Sequence, residues 1–449
     1  MTNYDSLYQA KLTSPEAAVK IVKSGDWLDY SIGPNIPLVL DQALADRADE
    51  LEDINVRTVL CIRPVALMEA NERLNRLVFT LNSWHFSGYE RQYAKQGYAF
   101  YIPFRYSEAP VMYRSKDDIE RVDVLMMQTA PMDKHGFFNL GPSNSHLMEV
   151  VRRAKHVIIE VNDQMPHIYG LYDEAIHIDQ VDAIVEHSSP LSTIGNPQPS
   201  AIDREIAALI MEQIHDGATL QLGIGGMPNA VGEMIAASDI KDLGIHSEFY
   251  IDSMMNMTKA GVITGRKKKL HRGKQVFTFA TGSSELYDFM NHNPQLLSAP
   301  ADYVNSHQVI SSIDNFISIN NAIEVDLYGQ VNAESTGFRH ISGTGGQLDF
   351  LMGAYHSQGG KSFVALSSTF TNKKGETFSR IVPFISKSRI TDPYTTIHYI
   401  VTEYGMFNMK GKSAWQRAEG LINLAHPDFR EDLIRSATEQ GIWRNSNKR

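Results

Sequence analysis

The stretch ATLQLGIGGMPNAVGEMI, residues 218–235, decides how this chain folds. Residues 218–222 predict a short strand, residues 223–229 a glycine-rich loop, and residues 230–235 a helix. A strand, a glycine loop and a helix in this order place backbone N–H groups at the positive end of a helix, which favours an anion. We therefore predict that this first glycine loop (residues 223–229) binds an oxyanion or a phosphate. A tight turn that needs glycine only for steric reasons is the alternative.

The first glycine loop is not a dinucleotide fingerprint. That fingerprint requires three glycines at the spacing G-x-G-x-x-G, and position 228 is proline. An oxidoreductase that uses a nicotinamide cofactor is therefore disfavoured.

The same alternation of strands and helices recurs along the chain, which predicts an α/β fold. Residues 122–127 and 156–161 predict buried strands, and residues 145–154 predict the helix that connects them. Ser14 and Pro15 predict the start of a helix that runs through residue 21 and ends near residue 25, before a strand over residues 26–30.

The length of 449 residues predicts two domains. Residues 188–199 contain three prolines, one glycine and few apolar residues, so they are the best candidate for a linker. We place the boundary near residue 195, which gives domains of residues 1–195 and 196–449. Their similar size and texture predict two related α/β units, and the polar end, residues 438–449, is predicted to fray.

The composition excludes several classes of function. A net charge of −10 argues against a nucleic-acid partner. One cysteine, Cys61, cannot form an intrachain disulfide, and the sixteen histidines show no metal-binding spacing, so no metal is expected. With no signal peptide and no apolar run of about 18 residues, we expect a cytoplasmic protein without a membrane partner.

Glu248 is the candidate nucleophile, in the segment GIHSEFYID at residues 244–252. A carboxylate among Ile, Phe and Tyr is partly desolvated, and the removal of water makes it more reactive. A surface residue on an edge strand is the alternative. Glutamates at 160, 324 and 403 have similar apolar neighbours and are rivals by local pattern.

A second glycine loop (residues 342–347) follows about a hundred residues later. Two more glycines precede Lys361, and residues 362–366 predict a strand. A lysine in this position can reach a pyrophosphate, or it can be an ordinary lysine in a solvated turn. The basic run at residues 266–269 could face a phosphorylated ligand or lie on a solvated surface.

Taken in order, these segments resemble the acetyl-CoA hydrolase/transferase family of class I CoA-transferases. The similarity covers essentially the whole chain and is carried by residues 25–30, 223–231, 259–264, 286–289, 324–332, 342–347, 402–405 and 425–430. It implies two related open α/β subdomains with the active site between them, usually in a homodimer.

The resemblance also implies an activity: transfer of coenzyme A from a short-chain acyl-CoA, such as butyryl-CoA, to a carboxylic acid such as acetate. Coenzyme A is then a cosubstrate that forms a covalent glutamyl-CoA intermediate, and no cofactor is bound permanently. The chain departs from the family pattern at residues 306–307, 406–410 and 31–37, which leaves open the identity of the acids, including 4-hydroxybutyrate and dicarboxylates. Hydrolysis of acyl-CoA stays open as well, and so does a catalytically silent role as a sensor of CoA or of an acid.

Specific residues receive roles from the same resemblance. Glu248 is the nucleophile, and Asn305 polarises the incoming acyl carbonyl. The backbone amides of Ile224 and of the segment from Gly343 to Gly345 form the oxyanion hole. The implied coenzyme A contacts are Gly223, Gly225, Gly226, Gly343, Gly346 and Lys361, the last at the diphosphate.

Overall fold

The computed structural model describes residues 3–115, 117–119 and 121–444. The strands up to residue 195 are β1 Trp27–Ile32, β2 Ile54–Val59, β3 Phe79–Ser83, β4 Ala99–Tyr101, β5 Val124–Thr129, β6 Phe137–Asn139, β7 His156–Val161, β8 Ala175–His177 and β9 Ala183–Glu186. The helices there are α1 Asn3–Lys11, α2 Pro15–Ala18, α3 Val39–Ala45, α4 Ala66–Leu74, α5 Gly88–Gln96, α6 Ala109–Arg114 and α7 Leu147–Arg153, with 3₁₀ turns at Val19–Ile21, Gly33–Asn35, Tyr106–Glu108 and Ile178–Gln180.

The later strands are β10 Thr219–Leu222, β11 Gly244–Tyr250, β12 Gln275–Ala280, β13 Leu296–Ser298, β14 Phe316–Asn321, β15 Glu324–Asp326, β16 Val331–Asn332, β17 Ser335–Thr336, β18 Arg339–His340, β19 Lys361–Ala365, β20 Thr369–Thr371, β21 Thr377–Ser379, β22 Ile381–Val382, β23 Tyr399–Thr402 and β24 Gly405–Asn408. The later helices are α8 Ala201–Met211, α9 Gly226–Ala236, α10 Asp252–Lys259, α11 Ser284–Met290, α12 Ala301–Val304, α13 His307–Ser311, α14 Gln347–His356, α15 Ala414–Leu424 and α16 Pro427–Glu439.

Two large sheets share one plan of strand order. The first is parallel throughout, in the order β4-β3-β2-β1-β5-β7-β9. The second has the order β13-β12-β11-β10-β14-β19-β23-β24, and β24 is antiparallel to β23. In each sheet the strand that comes first in the chain is central, with the next three strands on one side and the later strands on the other. This doubly wound arrangement confirms the predicted α/β class and favours ligand binding at the carboxyl ends of the central strands.

Most predicted elements lie within two residues of the observed ones, and the differences have local causes. The predicted strand at residues 156–161 is β7, whereas the one at 122–127 is β5, two residues later. Ser14 caps the predicted N-terminal helix, but its α-helical part ends at Ala18 and a 3₁₀ turn follows. Helix α9 begins at Gly226, four residues before the prediction, because Pro228 is tolerated in the first turn.

The chain divides into two compact units. Unit 1 comprises the described residues up to Gly195 together with Glu248–Ile251 and Val276–Val304. Unit 2 comprises Asn196–Ser247, Asp252–Gln275 and the residues from Asn305 onward. The chain therefore first changes unit at residue 195, and Glu248, which the sequence places in the second domain, clusters with unit 1. Of the predicted polar end, residues 445–449 lie outside the described ranges.

Each unit has its own apolar core. In unit 1 a row of side chains crosses the first sheet, where Leu28 pairs with Val56 and Val56 with Leu81, all fully buried. In unit 2 Val325 pairs with Ile381, and both belong to a cluster on helices α15 and α16. These rows hold the strands in register, so the loops that follow each strand have defined positions.

Glu160 on β7 anchors helix α3. Its carboxylate accepts hydrogen bonds from the backbone N–H groups of Leu38, Val39 and Leu40 at 2.9–3.2 Å, and its side chain is fully buried. These groups belong to the start of α3, which has no cap from its own N-cap side chain. A remote carboxylate thus satisfies the helix N-terminus and complements its dipole.

We expect Glu160→Gln to lower the free energy of unfolding by about 2 kcal/mol, because the amide loses the charge and sets an NH₂ group against backbone donors. Urea unfolding followed by circular dichroism measures the change. Glu186→Gln, at an exposed residue of the neighbouring strand β9, is the control and should change stability little. Equal stabilities of the two variants would contradict this role of Glu160.

Candidate active site

The first glycine loop leaves β10 through a turn that has no room for side chains. A Cβ at Gly225 would lie 2.7 Å from Nδ2 of Asn321, and the φ of Gly225 is +129°. A Cβ at Gly226 would lie 2.7 Å from Oδ2 of Asp203. The φ of Gly225 therefore requires glycine, whereas at Gly226 a larger residue would have to displace the end of the Asp203 side chain.

Backbone groups dominate the surface of this loop. Gly225 is the N-cap of α9 and provides no side-chain cap, and Ile224 is exposed. The side chain of Asn321 donates a hydrogen bond to the carbonyl of Ile224 at 3.1 Å, which holds the peptide in place. An uncapped helix start with a fixed peptide in front of it is the geometry that an anion site needs.

A buried polar cluster lies beneath the loop, and sequence reasoning missed it. Gln221 exchanges hydrogen bonds with Asn320 at 3.0 and 3.1 Å and accepts one from Ser318 at 2.7 Å. Ser318 and Asn320 occur two residues apart in β14, so they lie on one face of the strand. That alternation of polar residues within an apolar strand was the available signal.

The second glycine loop is held from below by acidic residues. Thr344 donates to Oε2 of Glu334 at 3.0 Å, and the backbone N–H groups of Ile341 and Ser342 donate to the carbonyl of Glu334. Gly346 is the N-cap of α14 without a side-chain cap, and Gly345 has a φ of +55°. This loop too ends at the start of a helix whose dipole favours an anion.

Asp392 supports the same helix and was not predicted from the sequence. Its Oδ2 accepts a hydrogen bond of 2.6 Å from Gln347, the first residue of α14. Its Oδ1 is buried and has no hydrogen-bond partner among the described residues. Burial raises the pKa of Asp392 to about 7, and the charges of Glu334 and Asp349 add to the effect.

Glu248 lies in β11, and of the seven residues of that strand it alone is not buried. Strand β11 runs parallel to β10, with Leu220 opposite Ile245. Gly223 comes three residues after Leu220, and Glu248 comes three residues after Ile245. Glu248 lies two residues before the carboxyl end of β11, and Gly223 directly follows the carboxyl end of β10. The carboxyl ends of such strands are where α/β folds place their ligands.

The rival glutamates have structural partners. Glu160 caps α3, as described above. Glu403 accepts a hydrogen bond of 2.9 Å from the backbone of Ser368 and a second bond from its hydroxyl. Glu324 accepts a hydrogen bond of 2.8 Å from the side chain of Asn332, which lies opposite it on the paired strand β16. These contacts explain why each glutamate is present without any catalytic role.

Lys361 lies apart from the first glycine loop. It is the first residue of β19, level with Ile317 and therefore with Leu220. Leu220 comes three residues before Gly223, so Lys361 and Gly223 are separated by about 10 Å along the strand direction. Its amine donates to Oε1 of Gln213 at 2.8 Å. The diphosphate contact of Lys361 stays a prediction.

In the basic run at residues 266–269 three residues are exposed, and only Lys268 is built into the fold. Lys268 is buried, and its amine donates to the carbonyls of Ile245 and Lys274, each at 2.8 Å. Burial lowers the pKa of Lys268 to about 7. Lys269 lies 3.7 Å from the carboxylate of Asp314. Lys268 thus has an internal role that its place in a charged run conceals.

Asn305 is fully buried, directly after α12. No group of three or more His, Cys, Asp or Glu residues able to hold a metal ion occurs within residues 3–115, 117–119 and 121–444. In the same ranges no helix is long and apolar enough to cross a membrane.

The architecture defines the class of protein. A solved structure of 4-hydroxybutyrate CoA-transferase from Porphyromonas gingivalis matches with a TM-score of 0.78 and 32% identity, covering 98% of this chain and all of the other. RipA from Yersinia pestis matches with a TM-score of 0.88 and 36% identity, with the same coverage. The chain therefore has the α/β fold of the CoA-transferases.

Sequence comparison identifies the family. The N-terminal domain of acetyl-CoA hydrolase/transferase matches residues 1–194, and the C-terminal domain matches residues 282–437. A butyryl-CoA:acetate CoA-transferase from Anaerostipes caccae is 54% identical over 444 residues, which cover 98% of this chain and 99% of that protein. The chain belongs to the acetyl-CoA hydrolase/transferase family, which confirms the resemblance found in the sequence.

We expect the stability of the protein to depend on Asp392 with a defined sign. Because its pKa rises from 3.8 to about 7 on folding, the folded state keeps a proton that the unfolded chain releases between these values. Stability therefore falls as the pH rises through this window. Asp392→Asn mimics the protonated acid and should avoid the part of this loss that falls between pH 5 and pH 7, about 3 kcal/mol.

The measurement is urea unfolding of both proteins from pH 5 to pH 8. The variant should become the more stable protein, relative to wild type, as the pH rises. Two stability curves that stay parallel over this range would show that Asp392 does not hold its proton in the folded state.

Proposed function

We propose that this protein transfers coenzyme A between a short-chain acyl-CoA, such as butyryl-CoA, and a carboxylate acceptor such as acetate. The observation that carries the proposal is the identity of 54% over 98% of the chain to a protein named as a butyryl-CoA:acetate CoA-transferase. The position of Glu248 near the carboxyl end of β11, where it alone of that strand is not buried, supports it. Butyryl-CoA and acetate are therefore the first substrates to test.

We propose Glu248 as the nucleophile of a ping-pong reaction. Its carboxylate attacks the acyl-CoA carbonyl and expels the CoA thiolate, which leaves an acyl-glutamyl anhydride. The thiolate then attacks the glutamyl carbonyl, the anhydride C–O bond breaks, and a glutamyl-CoA thioester and the free acid result. A second acid reverses both steps and leaves with coenzyme A. No proton has to be transferred, because thiolate and carboxylate both leave as anions.

Backbone amides take the role of oxyanion donors in this proposal. The amide of Ile224 and those of residues 343–345 stabilise the tetrahedral intermediates, and one such donor typically contributes about 3 kcal/mol to the transition state. The steric limits at Gly225 and the uncapped start of α14 support this assignment, since both keep the backbone accessible. Asn305 polarising the acyl carbonyl is part of the same proposal.

Two neighbouring reactions compete with this proposal. Hydrolysis is named in the family description, and it differs only in that water resolves the glutamyl-CoA thioester. Transfer to 4-hydroxybutyrate is the second, because a structural relative of 32% identity carries that name. Comparing discharge by acetate, 4-hydroxybutyrate and buffer alone separates the three. Action as a cytoplasmic homodimer stays a prediction, and light scattering on the purified protein tests the dimer.

We expect brief incubation with butyryl-CoA, without an acceptor, to add the mass of coenzyme A to the intact protein. Glu248→Ala should form no adduct. Its rate of transfer should be lower by roughly 1,000-fold or more, because the covalent nucleophile is lost. Glu403→Gln is the matched control, because it removes a rival carboxylate outside the proposed site, and it should still form the adduct.

Acetate should clear the adduct of the wild-type protein and produce acetyl-CoA. An adduct on Glu248→Ala would contradict the assignment of the nucleophile. If buffer alone clears the adduct as fast as acetate does, the activity is hydrolysis and not transfer.

Lys361→Ala tests the proposed contact with the diphosphate. Loss of a charged hydrogen-bond donor to phosphate should raise KM for butyryl-CoA about 10-fold and leave kcat nearly unchanged. Gln213→Ala is the control, since it removes the observed partner of the amine and keeps the lysine. Equal effects of the two variants on KM would assign Lys361 a structural role only.

A further inference from the structure

A hydrogen-bonded chain of three buried side chains leads toward Glu248 within unit 1. The hydroxyl of Tyr106 lies 2.6 Å from Oγ of Ser145, and the same Oγ lies 2.9 Å from Nδ1 of His146. All three side chains are buried. Sequence reasoning did not single them out, because Tyr106 precedes Ser145 by 39 positions in the chain.

The backbone holds Ser145 in a conformation that favours glycine. Its φ is +48°, and such strain is retained where the surrounding structure enforces it. Its N–H donates to the carbonyl of Thr278 at 3.2 Å, and its carbonyl accepts from Ala301 at 2.8 Å. The strain places the hydroxyl between Tyr106 and His146.

The surroundings of His146 keep it neutral. Its ring packs edge-on against Trp84 at 4.8 Å and stacks on Tyr113 at 5.4 Å. Burial lowers the pKa of His146 to about 3, with a smaller contribution from the charge of Arg57. A neutral imidazole has one N–H group. When that group is Nδ1–H, His146 donates to Ser145, Ser145 donates to Tyr106, and the phenol hydrogen is directed to an acceptor beyond the chain.

Glu248 is near the outer end of this chain. The ring of Phe279 packs against Tyr106 at 5.8 Å and against Phe249, the residue after Glu248, at 4.6 Å. Burial raises the pKa of Tyr106, and the charge of Glu248 raises it further. Tyr106 therefore keeps its proton and remains a hydrogen-bond donor within the electrostatic influence of Glu248.

We propose that Tyr106, positioned by Ser145 and His146, donates a hydrogen bond to the carboxylate of the acid that exchanges at Glu248. This inference rests on the proposed function. In the free enzyme the negative charge near Tyr106 is that of Glu248. In the thioester form Glu248 is neutral, and the incoming carboxylate supplies the charge. Tyr106 keeps its proton throughout, while the carboxylate attacks the thioester carbonyl and the CoA thiolate leaves.

The test separates acid binding from the chemistry of the thioester. Wild-type protein and Tyr106→Phe are loaded with butyryl-CoA, freed of excess substrate, and discharged either with acetate or with hydroxylamine. Hydroxylamine is a neutral nucleophile that needs no carboxylate contact. For Tyr106→Phe we expect discharge by acetate to slow about 10- to 100-fold, as for loss of a hydrogen bond to a charged group, and discharge by hydroxylamine to change little.

Two further variants make the result specific. Tyr113→Phe is the matched control: this buried tyrosine stacks on the same His146 but its hydroxyl bonds to Asp29, so the ratio of the two discharge rates should stay that of wild type. Ser145→Gly removes the middle hydroxyl of the chain, and glycine adopts the positive φ at this position without strain. Like Tyr106→Phe, it should lower the rate of discharge by acetate relative to the rate of discharge by hydroxylamine.

Each outcome decides one question. A wild-type ratio for Tyr106→Phe overturns the inference and leaves the glutamyl-CoA mechanism intact. If Tyr106→Phe does not load while wild type does, the ratio for Ser145→Gly decides, and a wild-type ratio there overturns the inference. Wild-type protein that forms no adduct contradicts the proposed function itself, and the inference with it.

Discussion

The candidate site depends on one steric constraint, the lack of space for side chains where β10 turns into α9. Polar atoms of Asn321 and Asp203 lie 2.7 Å from where the Cβ atoms of Gly225 and Gly226 would be. A Cβ at either position would have to displace the end of one of these side chains, and at Gly225 it would also meet a φ of +129° that favours glycine. Because the turn is so tight, the helix starts at once, its first amides have no side-chain cap, and the peptide of Ile224 is held at the surface. A helix start of this kind favours an anion.

Glutamates with equally apolar neighbours in the sequence have different chemistry in the fold. Glu160 accepts hydrogen bonds from three backbone N–H groups about 120 positions away, which stabilise its charge and engage its oxygens. Glu403 is held by Ser368 in the same manner. These contacts give both glutamates a structural role. The local sequence does not show them, since the hydrogen-bond donors come from distant segments.

The sequence predicts well what local patterns determine. It predicts strand β7 to the residue and β5 within two residues, because continuous apolar runs specify buried parallel strands. It predicts poorly what distant partners determine. Lys268 occurs in a run of four basic residues, yet it is buried because two carbonyl groups from other segments accept its hydrogen bonds. The sequence does not predict the contact of Ser145 with Tyr106 either, because the two residues are far apart in the chain and only the fold brings them together.

Acidic residues lie beneath the second glycine loop, which we propose as an oxyanion site. Glu334 and Asp392 both contact the second glycine loop or the helix that follows it, and their charges would oppose an oxyanion there. Thr344 and Gln347 donate to them, and the raised pKa of Asp392 keeps it protonated below about pH 7. Above that pH the charge of Asp392 adds to those of Glu334 and Asp349 near the start of α14. Protonation of Asp392 thus limits the negative charge beneath the loop.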